Sequence, residues 1–196
     1  MHAREYVMLE IEVKFRVDDF AALEARLKEW QAEACAERQD ADAYFQAPHR
    51  DFAKTDEAFR LRRIGSASFI TYKGPKIDAA TKTRLEIEVP LAEGVQPAED
   101  FEKLVHALGF RPVAIVRKQR RVFELARDGF ELEICLDQVE QVGHYVELEI
   151  VAEPNLLDQA KDVLLKTAAE LGLAETERRS YLELLLERTK NSVKPT

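Results

Sequence analysis

The chain has 196 residues, 29 Lys or Arg against 37 Asp or Glu, and a formal net charge of −8. Hydrophobic residues make up 46% and charged residues 34%, with 7 Gly and 7 Pro, which excludes disordered and fibrous classes. The acidic balance argues against broad binding to nucleic acid or an anionic membrane, and no apolar run reaches the length of a membrane span.

The alternation in residues 4–16 predicts the first strand, with Val7, Leu9, Ile11, Val13 and Phe15 on one face and Glu10, Glu12, Lys14 and Arg16 on the other. Residues 18–35 switch to helical spacing through Phe20, Leu23, Leu27, Trp30 and Ala34, with Asp18 or Asp19 as cap. Short strands are expected at 42–46, 58–64 and 68–74, the last two joined by a Gly65-Ser66 turn. Residues 82–89 alternate again until Pro90, and a helix follows over 98–108 with Gly109 as its stop. A long strand over 113–125 leads through Asp128-Gly129 into FELEICLD, and Gly143 precedes a last strand, HYVELEIV. Asn155 opens a helix to Leu171, and Ser180 with Glu183 forms a capping box for a terminal helix to Arg188. Residues 1–190 read as one domain and 191–196 as a frayed tail. This order of about eight strands and a few helices is α+β and antiparallel.

Two cysteines, Cys35 and Cys135, form no C-x-x-C pair, and MHAREYVMLEIEVKF lacks a signal-peptide core; a cytoplasmic protein is expected. The four histidines show no zinc spacing, and neither a P-loop nor a G-x-G-x-x-G motif is present. Trp30 reads as core, Tyr44 and Phe45 as strand core, and Cys135 as a small wall residue. The leucines of SYLELLLE point to packing on the chain and to a possible homodimer.

The ionised strand faces are the anomaly. Dense charge recurs on at least five strands: Glu10, Glu12 and Lys14; Arg60 and Arg62; Arg84, Glu86 and Glu88; Lys118 and Arg120; Glu131, Glu133 and Asp137; Glu147 and Glu149. A one-sided sheet with a solvated face explains any one of these strands. A closed barrel with ionised faces inward explains their recurrence, provided that the lumen is wet and takes a charged ligand. Composition leaves both arrangements open. In a lumen, carboxylates two apart on a strand lie roughly 6.6 Å from each other, so a hard cation needs further ligands from other strands. Arginines there suit bidentate contact with phosphate oxygens.

Glu10-Ile-Glu12-Val-Lys14 matches an E-x-E-x-K signature, and DAYF, RDFAKTDEAFRLRR, TYKGPK, TRLEIEV, VRKQRRVF, LDQVEQVGHYVELEI and RRSYLELLLE follow in order. In these stretches the chain resembles the CYTH superfamily of triphosphate tunnel metalloenzymes, in its CyaB-like, class IV adenylyl cyclase branch, over about residues 5–188. Gln46-Ala47-Pro48-His49 and Gln141-Val142-Gly143 depart from the usual loop text. The resemblance implies a closed eight-stranded antiparallel β-barrel with helices outside and a triphosphate bound within, together with Mg2+ or Mn2+. It implies metal ligands at Glu10, Glu12, Asp137 and Glu147, with Glu149 beside them. It implies triphosphate contacts at Lys14, Arg62, Lys73, Lys118 and Arg120, with Arg60 and Arg84 on the same faces; Glu10, Glu12 and Lys14 carry the catalysis. The reaction it implies first is ATP cyclisation to cyclic AMP and pyrophosphate. Hydrolysis of tripolyphosphate or thiamine triphosphate in the same tunnel is the alternative, and a non-catalytic nucleotide or polyphosphate binder is the third reading.

Overall fold

The computed structural model describes residues 8–77 and 81–192. His2, residues 4–7 of the first expected strand and residues 193–196 of the expected tail lie outside them. One sheet contains β1 (Leu9–Val17), β2 (Glu33–Gln46), β3 (Ala58–Ile64), β4 (Ala67–Lys73), β5 (Glu86–Pro90), β6 (Arg111–Arg127), β7 (Phe130–Val139) and β8 (Gly143–Ala152). Its order is β1-β8-β7-β6-β2-β3-β4-β5, with every neighbouring pair antiparallel. The helices are α1 (Ala21–Glu29), α2 (Phe52–Thr55), α3 (Val95–Ala107), α4 (Leu157–Glu170) and α5 (Tyr181–Ser192).

The alternation sorts each strand into two environments. Ile11, Val13, Leu132, Ile134, Leu148 and Ile150 point outward and pack with Leu23 and Leu27 of α1 and with Ala160 and Leu164 of α4. Each such aliphatic side chain contributes about 1.5–3 kcal/mol when fully buried. Across the sheet, Ala43, Phe45 and Leu61 pack with Ala98 and Val105 of α3. The charged residues are left on the concave side.

The expected barrel forms, but a continuous ladder does not close it. The edge strands β1 and β5 do not pair with each other. Instead, the segment before β5 lies along β1: Lys82 N donates to Glu12 O at 2.9 Å and Arg84 N to Glu10 O at 3.4 Å. Farther along, Thr176 bridges Phe15 and Glu177 N donates to Lys14 O at 2.6 Å. These two segments cover an edge that would otherwise expose unpaired backbone groups.

Several boundaries differ from the sequence expectation. The first helix ends at Glu29, because Gln31 takes a left-handed φ of 58° and Ala32 N caps back onto Leu27 O. Ala34 and Cys35 therefore belong to β2, whose polar first half is held by the long β6. Residues 82–84 leave the β5 ladder to seal β1, and among the described residues no helix covers the apolar side chains here: Leu85, Ile87 and Val89 are 41%, 50% and 50% exposed. The terminal helix runs on to Ser192. Its Leu184 and Leu185 are buried against Tyr44, Val116, Val139 and Tyr145 on the concave side, so much of the apolar surface that suggested a dimer packs within the chain. Trp30 packs at the margin of the main core, with the Arg127 guanidinium 4.8 Å from its ring centroid.

Candidate active site

The concave side encloses a cavity of about 470 Å3. Glu10, Glu12, Lys14, Arg60, Arg62, Lys73, Arg84, Lys118, Arg120, Glu147 and Glu149 all line it. Asp137, fully buried, stands behind Arg120 rather than in the lining. Eleven strand-borne residues, Asp137 among them, and Arg84 from the segment before β5 thus converge, because period two puts alternate positions of a strand on one side.

Register decides the pairs. Arg120 stands opposite Asp137, and its Nε and Nη2 donate to Oδ1 at 2.7 Å and Oδ2 at 2.5 Å; Nη2 also donates to Glu147. Arg62 stands opposite Asp42 and donates from Nε at 2.7 Å and Nη2 at 2.8 Å, while Arg60 reaches the same carboxylate at 3.3 Å. Lys73 Nζ donates to Glu10 at 2.7 Å and also pairs with Glu86. Lys82 Nζ donates to Glu12 at 2.6 Å. Lys14 Nζ donates to the Arg179 carbonyl at 2.5 Å and lies 4.0 Å from the Tyr181 ring centroid.

Basic residues dominate one part of the lining, where β3 and β6 supply Arg60, Arg62, Lys118 and Arg120. Register also aligns Glu12, Glu149, Glu133 and Glu124 in one row across β1, β8, β7 and β6. Burial, followed by the neighbouring charge of Glu10 with contributions from Glu12 and Glu133, raises the Glu149 carboxyl well above its ordinary range. Burial acts the same way on Glu147, but Arg120, Lys118, Lys82 and Lys14 outweigh it and hold that carboxyl well below. Burial, with Lys82 alongside, pushes the Lys14 ammonium well below the usual lysine range. Lys82 is driven the same way by burial, but Glu12 and Glu147 raise it. Lys118 is lowered by burial and by Arg120.

A hard divalent cation suits this donor set. Glu10, Glu12, Glu133, Glu147 and Glu149 bring carboxylate oxygens to one cavity, and oxygen is the donor that Mg2+ and Mn2+ prefer. Among the described residues, as placed, no three such side chains already surround one point.

Three contributors escaped the residue-by-residue reading, and a fourth, Glu133, was read on an ionised face but not as part of the site. Lys82 is in phase with Arg84 and Glu86, which is the signal that could have found it. Asp42 is in phase with Tyr44 but was read only as part of a strand. Glu133 lines the cavity beside Glu149. Tyr181 enters from α5, and nothing in the local sequence ties a terminal helix to a tunnel wall.

A tunnel lined with ionised side chains inside a curled antiparallel sheet is the architecture expected from the sequence resemblance. Residues 8–181 match the CYTH domain family, and the chain belongs to that family. It is 34% identical over 180 residues to a Methanocaldococcus jannaschii protein named "Putative adenylate cyclase MJ0240", covering 90% of this chain and 98% of the relative. The structure of the PH1819 protein from Pyrococcus horikoshii OT3 is 41% identical with a TM-score of 0.80, covering 91% of this chain and 99% of that one. HpAC1 from Hippeastrum, described as a putative adenylyl cyclase with a dominant triphosphatase activity, shares the fold at 16% identity and a TM-score of 0.64, covering 92% and 95% of the two chains. Among the described residues no helix is long and apolar enough to cross a membrane.

Proposed function

We propose that this chain is a metal-dependent enzyme that binds a triphosphate in the tunnel and cyclises ATP to cyclic AMP and pyrophosphate. The observation that supports it most is the convergence on one cavity of the arginines and lysines of β3 and β6 with the glutamates of β1 and β8. Arg60, Arg62, Lys118 and Arg120 bind the phosphate oxygens, the arginines through paired N–H groups. Asp42 holds Arg60 and Arg62 in place, so little reorganisation is needed when the anion arrives. Lys14, Lys73, Lys82 and Arg84 complete the positive lining next to β1. Glu10, Glu12, Glu147 and Glu149, which line the cavity, would hold Mg2+ or Mn2+, while Asp137 holds Arg120 in place. When bound there, such a cation would neutralise charge on the phosphoryl oxygens and lower the pKa of the attacking hydroxyl. In the cyclase reaction the ribose 3′-hydroxyl attacks the α-phosphorus, and pyrophosphate leaves against the basic wall.

Hydrolysis of a triphosphate is the second reading, and the aromatic lining favours it. Among the described residues the rings in the lining are Tyr44 and Tyr181, and both pack in one apolar cluster. The lining therefore offers many phosphate contacts and little free ring surface for a purine. A product assay separates the two readings. Purified protein is given ATP, inorganic tripolyphosphate or thiamine triphosphate, each with Mg2+ and with Mn2+. Cyclic AMP and pyrophosphate from ATP support the cyclase; orthophosphate without cyclic AMP replaces it with the triphosphatase; binding without turnover rejects both.

A further inference from the structure

We propose that Tyr181, the first residue of α5, is a positioning residue of the tunnel, its hydroxyl fixing Asp137 and its ring fixing the ammonium groups of Lys14 and Lys118. The inference rests on the tunnel reading above and adds the C-terminal helix to the site.

The local sequence places this residue. Ser180 Oγ accepts from Glu183 N at 3.2 Å, and Ser180 N donates back to Glu183 Oε2 at 2.6 Å. This reciprocal cap starts the helix at Tyr181. The segment before it is tied to β1 by the Thr176 bridge to Phe15 and by Glu177 N on Lys14 O. Leu184 and Leu185, one turn on, are buried on the concave side. Both flanks of Tyr181 are therefore held, and its side chain is directed into the barrel.

Its contacts span both halves of the site. Oη donates to Asp137 Oδ2 at 2.8 Å, on the carboxylate that also receives Arg120. Lys14 Nζ lies 4.0 Å and Lys118 Nζ 5.2 Å from its ring centroid, and Tyr145 packs edge-on at 5.3 Å. Two lysine ammonium groups thus lie against the same electron-rich ring. A helix used only for packing would not need a hydroxyl aimed at the carboxylate of the last ionic strands.

The test uses full-length protein with Tyr181→Phe, which removes the hydroxyl alone, and Tyr181→Leu, which also removes the ring. Calorimetry measures MnCl2 binding, and separately inorganic tripolyphosphate binding in EDTA, so neither readout needs turnover. For Tyr181→Phe the tripolyphosphate dissociation constant should rise about fivefold, because the carboxylate that orients Arg120 loses a partner, while Mn2+ binding stays within about twofold. For Tyr181→Leu, which also removes the ring beside Lys14 and Lys118, the tripolyphosphate constant should rise about twentyfold. Unchanged tripolyphosphate affinity in Tyr181→Phe, with wild-type protein binding both probes, overturns the hydroxyl's role and leaves the tunnel reading standing. No further loss of tripolyphosphate affinity in folded Tyr181→Leu overturns the ring's role. Wild-type protein that takes up neither probe overturns the tunnel reading itself. If Tyr181→Leu fails to fold, Tyr181→Phe decides.

Discussion

Removing the Asp42 carboxylate should destabilise the apo protein, and the polyanion that fills the tunnel should restore part of the loss. Asp42 is 1% exposed and accepts two hydrogen bonds from Arg62 and one from Arg60. In Asp42→Ala two buried guanidiniums lose their closest counter-charge. Breaking a buried ion pair from one side costs about 3–5 kcal/mol. For a chain of this size that corresponds to a fall in Tm of about 10 °C. Thermal unfolding at pH 7, with EDTA, measures it. Saturating tripolyphosphate should then raise the Tm of Asp42→Ala more than that of wild type, because the bound anion supplies the missing charge to Arg60 and Arg62. The pH dependence is fixed in sign. Burial alone would raise the Asp42 carboxyl above its ordinary 3.8, but Arg60 and Arg62 hold it far below. Its contribution is therefore complete above about pH 4 and is lost as pH falls towards the folded-state value, so the gap between wild type and variant should narrow in acid. A loss below about 3 °C at pH 7, or a gap that widens in acid, would refute the reasoning.

Further outcomes follow from the same geometry. Arg62→Ala should lower kcat/KM for the triphosphate substrate by about 2–4 kcal/mol in transition-state binding; unchanged steady-state kinetics would move the phosphate site elsewhere. Glu12→Gln should reduce metal-dependent turnover by about a hundredfold or more while circular dichroism stays that of wild type; full activity would remove Glu12 from the site. Glu149 presents the opposite sign to Asp42: its folded value lies above the ordinary 4.5, so its favourable contribution is present below that value and lost as pH rises through the raised one. Glu149→Gln should therefore raise the Tm of the cation-free protein at pH 8 by a few degrees and weaken its stabilisation by Mn2+; a lower Tm in EDTA would contradict the carboxylate crowding. Excess EDTA should stop turnover, with recovery on adding Mg2+ or Mn2+; activity in its presence would exclude the metal requirement.

The strands that build the ionic wall were legible because alternation survives in them without interruption. Glu10-Ile-Glu12-Val-Lys14 and Tyr145-Val146-Glu147-Leu148-Glu149 announce one apolar and one ionised face before any contact is known. The first half of β2 was illegible for the same physical reason: EACAERQD has no buried apolar face, and pairing with β6 is what makes it a strand. The helix expected through residue 35 failed because helical spacing of a few apolar residues cannot report the left-handed turn at Gln31. Lys82 lay in phase with the recognised positions, yet its segment pairs with β1 and not with β4, a contact about 70 residues distant in the chain.

By itself, then, the sequence determined the strand faces, the turns, the capping box at Ser180 and the charge types that a triphosphate and a hard cation require, because these depend on period, φ preference and side-chain chemistry within a few residues. Tertiary structure alone decided which charges meet. Register across β2–β3 and β6–β7 set Asp42 under Arg62 and Asp137 under Arg120; the curl of the sheet brought residues 82–84 to β1; and the return of the chain end placed Tyr181 inside the barrel. These are long-range pairings, fixed by the burial of the outer faces against α1, α3 and α4, and no local pattern encodes them.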